Sequence, residues 1–251
     1  MALQQLDDGW FRFGAGKKWR CTSSRYLCEV GTPGNVPDYM HLSKSVAAIR
    51  RVKAAYRGRL ELGTLDEFGY GLDVLVANSF TESLGNVPTK LTEAGLKGVY
   101  AKGTGGQGDK LDQVVRYISG AGGQKYLERR EPGYVNPLNT PSRVSVGAHH
   151  VLISTALGLT GKKAPKGSLA EAAAITDLTC RLPGDDLYAA GLAIKYFNRE
   201  YGKHRNQPPL LAASYNAGSP RLTTQNNWNL VQYGAHIDRW VAFFNTSRQI
   251  G

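Results

Sequence analysis

Long apolar runs are missing from this sequence: no stretch approaches the roughly 18–20 apolar residues that a membrane-crossing helix needs, so no transmembrane segment is expected. Cysteine is scarce. Cys21, Cys28 and Cys180 form an odd set that cannot all pair, and a disulfide-built scaffold would carry many more. Free thiols are expected, with a Cys21–Cys28 bridge as the alternative. Acidic residues are in deficit, 20 against 31 Lys and Arg, which leaves a net charge of +11. That surplus raises the local concentration of any polyanion and says nothing about fold. It leaves nucleic acid, an anionic envelope surface or a cell-wall polymer as partner classes. Low-complexity runs and a G-x-y register are absent despite 30 glycines, which removes the fibrous classes. The opening residues MALQQLDDGW carry two acids where a secretory leader has a basic lead and an apolar stretch, so synthesis as a soluble cytosolic protein is expected.

What remains is a chain of 251 residues with 41% hydrophobic content, enough for one substantial core or two small ones. Residues 1–40 hold Trp10, Phe11, Phe13, Trp19 and Tyr26 with no sustained period of 2 or 3.6, and read as an extended N-terminal arm packed on the main body, 41–251. Helical spacing follows at Leu42–Tyr56, with Ser43 or Ser45 as N-cap, and at Gly71–Ser83. Residues 84–141 change character. Glycines from Gly95 to Gly123 surround one helical stretch, Asp109–Ile118, so this segment reads as an insertion with room for a small hairpin. Further helices are predicted at His149–Leu157, Leu169–Leu178, Asp186–Tyr201, Leu210–Tyr215 and His236–Phe244. In the last, Ile237, Trp240, Val241 and Phe244 fall at i, i+3, i+4 and i+7, a core-facing stripe. The body is therefore expected to be mostly α.

Several chemical patterns are weak. Gly103-Thr-Gly-Gly-Gln-Gly108 satisfies G-x-G-x-x-G, yet the preceding Val99-Tyr-Ala is too short for a buried strand, and Lys110 stands at the wrong offset for a phosphate loop. A surface loop accounts for it better. Adjacent His149 and His150 would point about 100° apart on a helix and could not share a metal, so no metal is expected. Basic residues are scattered over several segments instead of one recognition helix, which argues against specific nucleic-acid reading.

Glu82 is sharper. It closes the apolar run Leu72-Asp-Val-Leu-Val-Ala-Asn-Ser-Phe-Thr-Glu-Ser83, and apolar surroundings disfavour a carboxylate as a general acid near neutral pH requires. The bland alternative is a water-exposed acid in a C-terminal turn, badly placed against the helix dipole.

Glu82-Ser83, Gly147-Ala-His-His-Val-Leu-Ile-Ser-Thr-Ala156 and Leu211-Ala-Ala-Ser-Tyr-Asn-Ala-Gly218 occur in that order, and together they resemble the soluble lytic transglycosylases of the goose-type lysozyme superfamily. That family has Glu-Ser, then Gly-Leu-Met-Gln with a Pro-Ser-Thr-Ala-like tail, then Ala-Tyr-Asn-Ala-Gly. The resemblance covers about residues 66–222 apart from the insertion. It implies a lysozyme-like helical domain in which Glu82 is the single catalytic acid/base, Ser83 its motif partner, and Tyr215 and Asn216 line the cleft. The family's Gln falls on His150, and of Gly-Leu-Met only the glycine is kept. His150 is then either a substitute donor to the sugar or a structural histidine, and Tyr215 either holds Glu82 or the acetamido group or packs in the core.

The implied reaction cleaves the β-1,4 bond between N-acetylmuramic acid and N-acetylglucosamine in peptidoglycan glycan strands, without metal or organic cofactor. Glu82 protonates the glycosidic oxygen, the substrate's N-acetyl group stabilises the oxocarbenium-like centre, and the muramyl C6 hydroxyl attacks C1 to leave a 1,6-anhydro end. Water attack, as in a muramidase, is the enzymatic alternative. A non-catalytic structural protein of a phage particle or secretion machine is the other. The insertion would form a wall or lid over the glycan, with Arg116, Arg129 and Arg130 meeting stem-peptide carboxylates. A monomeric phage endolysin made in the host cytoplasm, or a virion-carried wall-degrading enzyme, would fit, with the basic surface drawn to the wall and to anionic outer-membrane surfaces.

Overall fold

A computed structural model of the chain describes residues 2–6, 8–22, 27–83, 145–165, 168–204, 207–231 and 234–251. The insertion 84–141, with its expected helix Asp109–Ile118, its hairpin, the Gly103–Gly108 loop and the three arginines, lies outside the described residues. Seven α-helices and two small antiparallel sheets are present among them, so the chain is mostly helical. No helix among them is long and apolar enough to cross a membrane. The contacts divide the chain into two bodies. One holds the described residues up to Thr81 together with Tyr196–Gly251, and the other holds Glu82, Ser83 and 145–195.

The first body begins with a four-stranded antiparallel meander, β1 Leu3–Gln5, β2 Phe11–Phe13, β3 Lys18–Cys21 and β4 Cys28–Val30, in sequence order. An extended arm was the expectation for residues 1–40. Strands of three or four residues are too short to display an alternation, and burial of Trp10, Phe13, Trp19 and Cys28 against the helices stabilises them instead. Trp19 is fully buried, and its indole Nε1 donates to Gln207 Oε1 at 2.5 Å. Opposite each other on β3 and β4, Cys21 and Cys28 are free thiols.

The helices of this body are α1, Ser43–Tyr56, most of α2, Gly71–Ser83, and two later ones. A 3-10 turn at Gly63–Asp66 leads into α2. Leu42 is the N-cap of α1 and supplies no side-chain bond, whereas Ser43 is already helical and Ser45 is buried; the serine cap expected there is not used. The two later helices are numbered below as α6 and α7. α6, Pro208–Ala217, starts on two prolines whose fixed φ suits a first turn and stops at Gly218, left-handed at φ 79°. α7, Gly234–Ile250, runs well past the predicted Phe244. Its stripe Ile237, Trp240, Val241 and Phe244 is fully buried, each side chain worth roughly 1.5–3 kcal/mol of transfer. Asn245 on α7 brackets β4, accepting from Cys28 N at 2.7 Å and donating to Cys28 O at 2.9 Å.

The second body is built from a hairpin and three helices. Strands β5, Ser145–Val146, and β6, Val151–Leu152, pair through a turn at 147–150. Helix α3, Ile153–Leu159, follows, then α4, Leu169–Gly184, and α5, Asp186–Tyr201, whose last residues from Tyr196 belong to the first body. Ser168 caps α4 by accepting from Glu171 N at 3.1 Å, the spacing of a capping box. Asp185 does the same for α5 through Tyr188 N at 2.9 Å. Val151, Ile153, Ala156, Ile175, Leu178 and Leu182 form the centre of its core. The predicted helix His149–Leu157 is thus corrected: its first four residues are turn and strand. Gly147 causes this, because its φ of 81° favours glycine and a Cβ there would meet Leu182 O at 2.7 Å.

Candidate functional site

Helix α2 carries apolar side chains on every face, with Val74, Leu75, Val76, Ala77 and Phe80 all fully buried, and so delivers its last turn to the protein interior. Glu82 stands on that turn. Its side chain is 11% exposed, which overturns the reading of a water-exposed surface acid. Within the second body the turn Gly147–His150 faces it, closed by His150 N donating to Gly147 O at 3.0 Å. His150 adopts φ 46°, a left-handed conformation unusual for a side-chain-bearing residue and often found where the surroundings force it. That bend brings His150 Nδ1 to 3.8 Å from Glu82 Oε2.

Burial decides the charge of the imidazoles here. Desolvation lowers the pKa of His150 to about 4, and that of fully buried His149 to about 3, with the neighbouring His150 a smaller cause for the latter. Near neutral pH both imidazoles are uncharged. The contact at Glu82 is then a carboxyl group beside a neutral ring, so His150 supplies no countercharge that would hold the acid ionised. The spacing is longer than a hydrogen bond, and a shift of under an ångström would close it. His150 Nε2 is buried, with no hydrogen-bond partner among the described residues. In the tautomer that turns Nδ1–H toward Glu82, Nε2 is an acceptor. Ser83 is the last residue of α2, and its side chain lies outside what the structure describes.

Tyr215 and Asn216 belong to the first body, in the last turn of α6. The Tyr215 ring stacks on Phe197 at 5.0 Å and meets Tyr196 edge-on at 5.1 Å, while Asn216 is exposed. Burial first, and Glu200 second, push the Tyr196 hydroxyl up to about 12, and it donates to Ser214 O at 2.5 Å, tying the end of α5 to α6. The structure therefore brings Glu82 and His150 together in one body and describes Tyr215 as partly packed in an aromatic cluster of the other. His149, weighed in the sequence only as half of a metal pair, is a buried neutral ring beside the site. Its signal was Gly147, which makes a turn of residues that hydropathy assigns to a helix.

Among the described residues, no three His, Cys, Asp or Glu side chains converge to hold a metal ion. A concavity of about 290 Å³ lies in the first body beside Lys17, Tyr39, Trp228 and Asp238. Two of its charged groups are bonded to each other, since Asp238 Oδ1 receives Lys17 Nζ as well as Trp228 Nε1, each at 2.9 Å. No protein-family model, no curated protein and no solved structure matches the chain.

Proposed function

We propose that the protein is a peptidoglycan lytic transglycosylase in which Glu82 is the only catalytic acid/base. The observation that carries this reading is the Glu82–His150 pair, a shielded carboxyl group at the end of an apolar helix, 3.8 Å from a ring that burial keeps neutral. A carboxyl that must first give a proton to a glycosidic oxygen and then take one back is served by a neighbour that carries no charge itself, and His150 is such a neighbour. The ordered motifs around Glu82, Gly147 and Tyr215-Asn216 supply the substrate class, and the +11 charge suits a carboxylate-bearing wall polymer.

In this reaction Glu82 protonates the oxygen between N-acetylmuramic acid and N-acetylglucosamine. The substrate acetamido group supports the developing positive charge at C1. Ionised Glu82 then accepts the proton of the muramyl C6 hydroxyl as its oxygen bonds to C1, which leaves a 1,6-anhydro product. His150 takes the place of the amide side chain that the resembling family carries there, with Nε2 accepting from a sugar hydroxyl or amide N–H. Purified wild type and Glu82→Gln, incubated with peptidoglycan and followed by mass spectrometry, test the proposal. Anhydro ends from wild type and none from the variant are expected. Products heavier by one water assign a muramidase instead, and equal release from both proteins, or from neither, rejects the catalytic role.

A further inference from the structure

We infer that Cys21 and Cys28 are a built site for a reversible cross-strand disulfide, open in this structure and closed by a disulfide oxidant. The register carries the argument. On the antiparallel pair β3–β4, Trp19 faces Val30, Arg20 faces Glu29 and Cys21 faces Cys28. Gly31 N bonds Lys18 O and Thr22 N bonds Leu27 O, so the hydrogen-bonded pairs are those of residues 18, 20 and 22. Cys21–Cys28 is consequently a non-hydrogen-bonded pair, the type in which side chains lie closest, with Cα atoms about 4.5 Å apart. Disulfides bridge Cα separations of about 4.4–6.8 Å, so closure needs side-chain rotation and no movement of the strands. The two thiols already share a hydrogen bond.

The pair is also asymmetric in a way that orders the chemistry. Cys28 is fully buried, and Asn245 holds its backbone on both sides. Burial pushes its thiol well up from the ordinary value, so it is a poor first nucleophile. Cys21 is partly exposed. With oxidised glutathione as the oxidant, the Cys21 thiolate attacks one glutathione sulfur and expels a glutathione thiolate. The Cys28 sulfur then attacks Cys21 in the mixed disulfide and expels the second. Two protein thiols are oxidised, one glutathione disulfide is reduced to two thiols, and the two cysteine protons end on them. The bridge would staple β4, and through it Asn245 of α7, to β3, whose Trp19 anchors the sheet on Gln207.

The full-length protein in a glutathione redox buffer, in native conditions and in urea, tests this, with Cys180→Ser alongside to remove the third thiol. Trypsin under non-reducing conditions would release residues 21–25 linked to 26–44, a product that reductant separates. The native chain should hold the bridge at a ratio of reduced to oxidised glutathione at least tenfold higher than the urea-unfolded chain tolerates. Oxidation should raise Tm by about 5 °C, as expected for closing so short a loop. Cys21→Ser should fold with the Tm of the reduced protein and show no response to oxidant, which keeps the test open if Cys28 variants fail to fold. A glutathione adduct that stops at Cys21, a linkage to Cys180 or another chain, or equal closure in native and unfolded states would overturn the inference.

Discussion

The two ends of α2 treat a buried acid in opposite ways. Asp73, in the first turn, sits where the helix dipole favours negative charge and is 2% exposed. Lys53 Nζ lies 2.9 Å from one of its oxygens and Arg248 3.0 Å from the other, while the Ser247 hydroxyl donates at 2.5 Å. Lys53 also donates to Ser247 O at 2.8 Å, so α1, α2 and α7 are joined through one carboxylate. Glu82, in the last turn, has the dipole against it and an imidazole held neutral by burial beside it. One acid is bonded to two cations and a hydroxyl and joins three helices. At the other, the neighbour the geometry shows is a ring without charge.

Breaking the fixed end should cost the most stability. Asp73→Ala leaves Lys53, itself 5% exposed, as a buried cation without its carboxylate, and an unfolding free energy lower by about 3–5 kcal/mol is expected in urea melts. Replacing Lys53 and Asp73 together by Met and Leu should recover much of that loss. A double variant as unstable as the single would show that the cluster is not the joint described here. At the other end the signature inverts: Glu82→Gln should fold with little change in Tm while turnover falls by about 100-fold or more.

Acid sharpens the contrast further. An unfolded histidine takes its proton near pH 6.5, whereas folded His150 and His149 do so only near 4 and 3. Both are uncharged in either state above about pH 7, so this contribution changes nothing there. As pH falls below 6.5 the unfolded chain binds protons that the folded one refuses, and stability falls until the folded values are reached. On the order of 2 kcal/mol per histidine should be lost by pH 5. Urea midpoints at pH 7 and 5 measure it, and His149→Gln should flatten the slope. A slope unchanged by that variant would mean that His149 is not buried as a neutral ring.

How legible this was in the residues differs between the bodies. Helices α2 and α5 stand where their spacing puts them, to the residue, because an apolar run or stripe at helical spacing is bounded by glycine or an acid. The meander left no such trace. Its strands are held by Trp19 reaching Gln207 and by Asn245 bracketing Cys28, contacts that span 188 and 217 positions and that no local period reports. Glu82 was found from its apolar neighbours. His150 came from a family motif, laid on a helix that the chain does not form there. Gly147 is the residue that hydropathy could not weigh, since its effect is a backbone angle. Gly147→Ala should therefore destabilise by about 1–3 kcal/mol through the strained φ and the contact with Leu182 O. It should also lower activity more than its stability loss explains, by moving His150. Activity that merely tracks the folded fraction would separate the turn from the site.

The smallest change asks most directly what the neutral ring does. If His150 serves as an uncharged hydrogen-bonding group, His150→Gln keeps a donor and an acceptor of similar reach, and activity should stay within about tenfold of wild type, whereas His150→Ala should lose more. The acid limb of the pH profile should keep its position in the Gln variant, because His150 titrates only near 4. An imidazole that carries the proton itself predicts otherwise: Gln and Ala would then fail equally, and the acid limb would move with the ring. In that outcome the acid at this end of α2 would share its task with a second titrating group, and the contrast with Asp73 would become one between a static carboxylate and one whose proton moves through its neighbour.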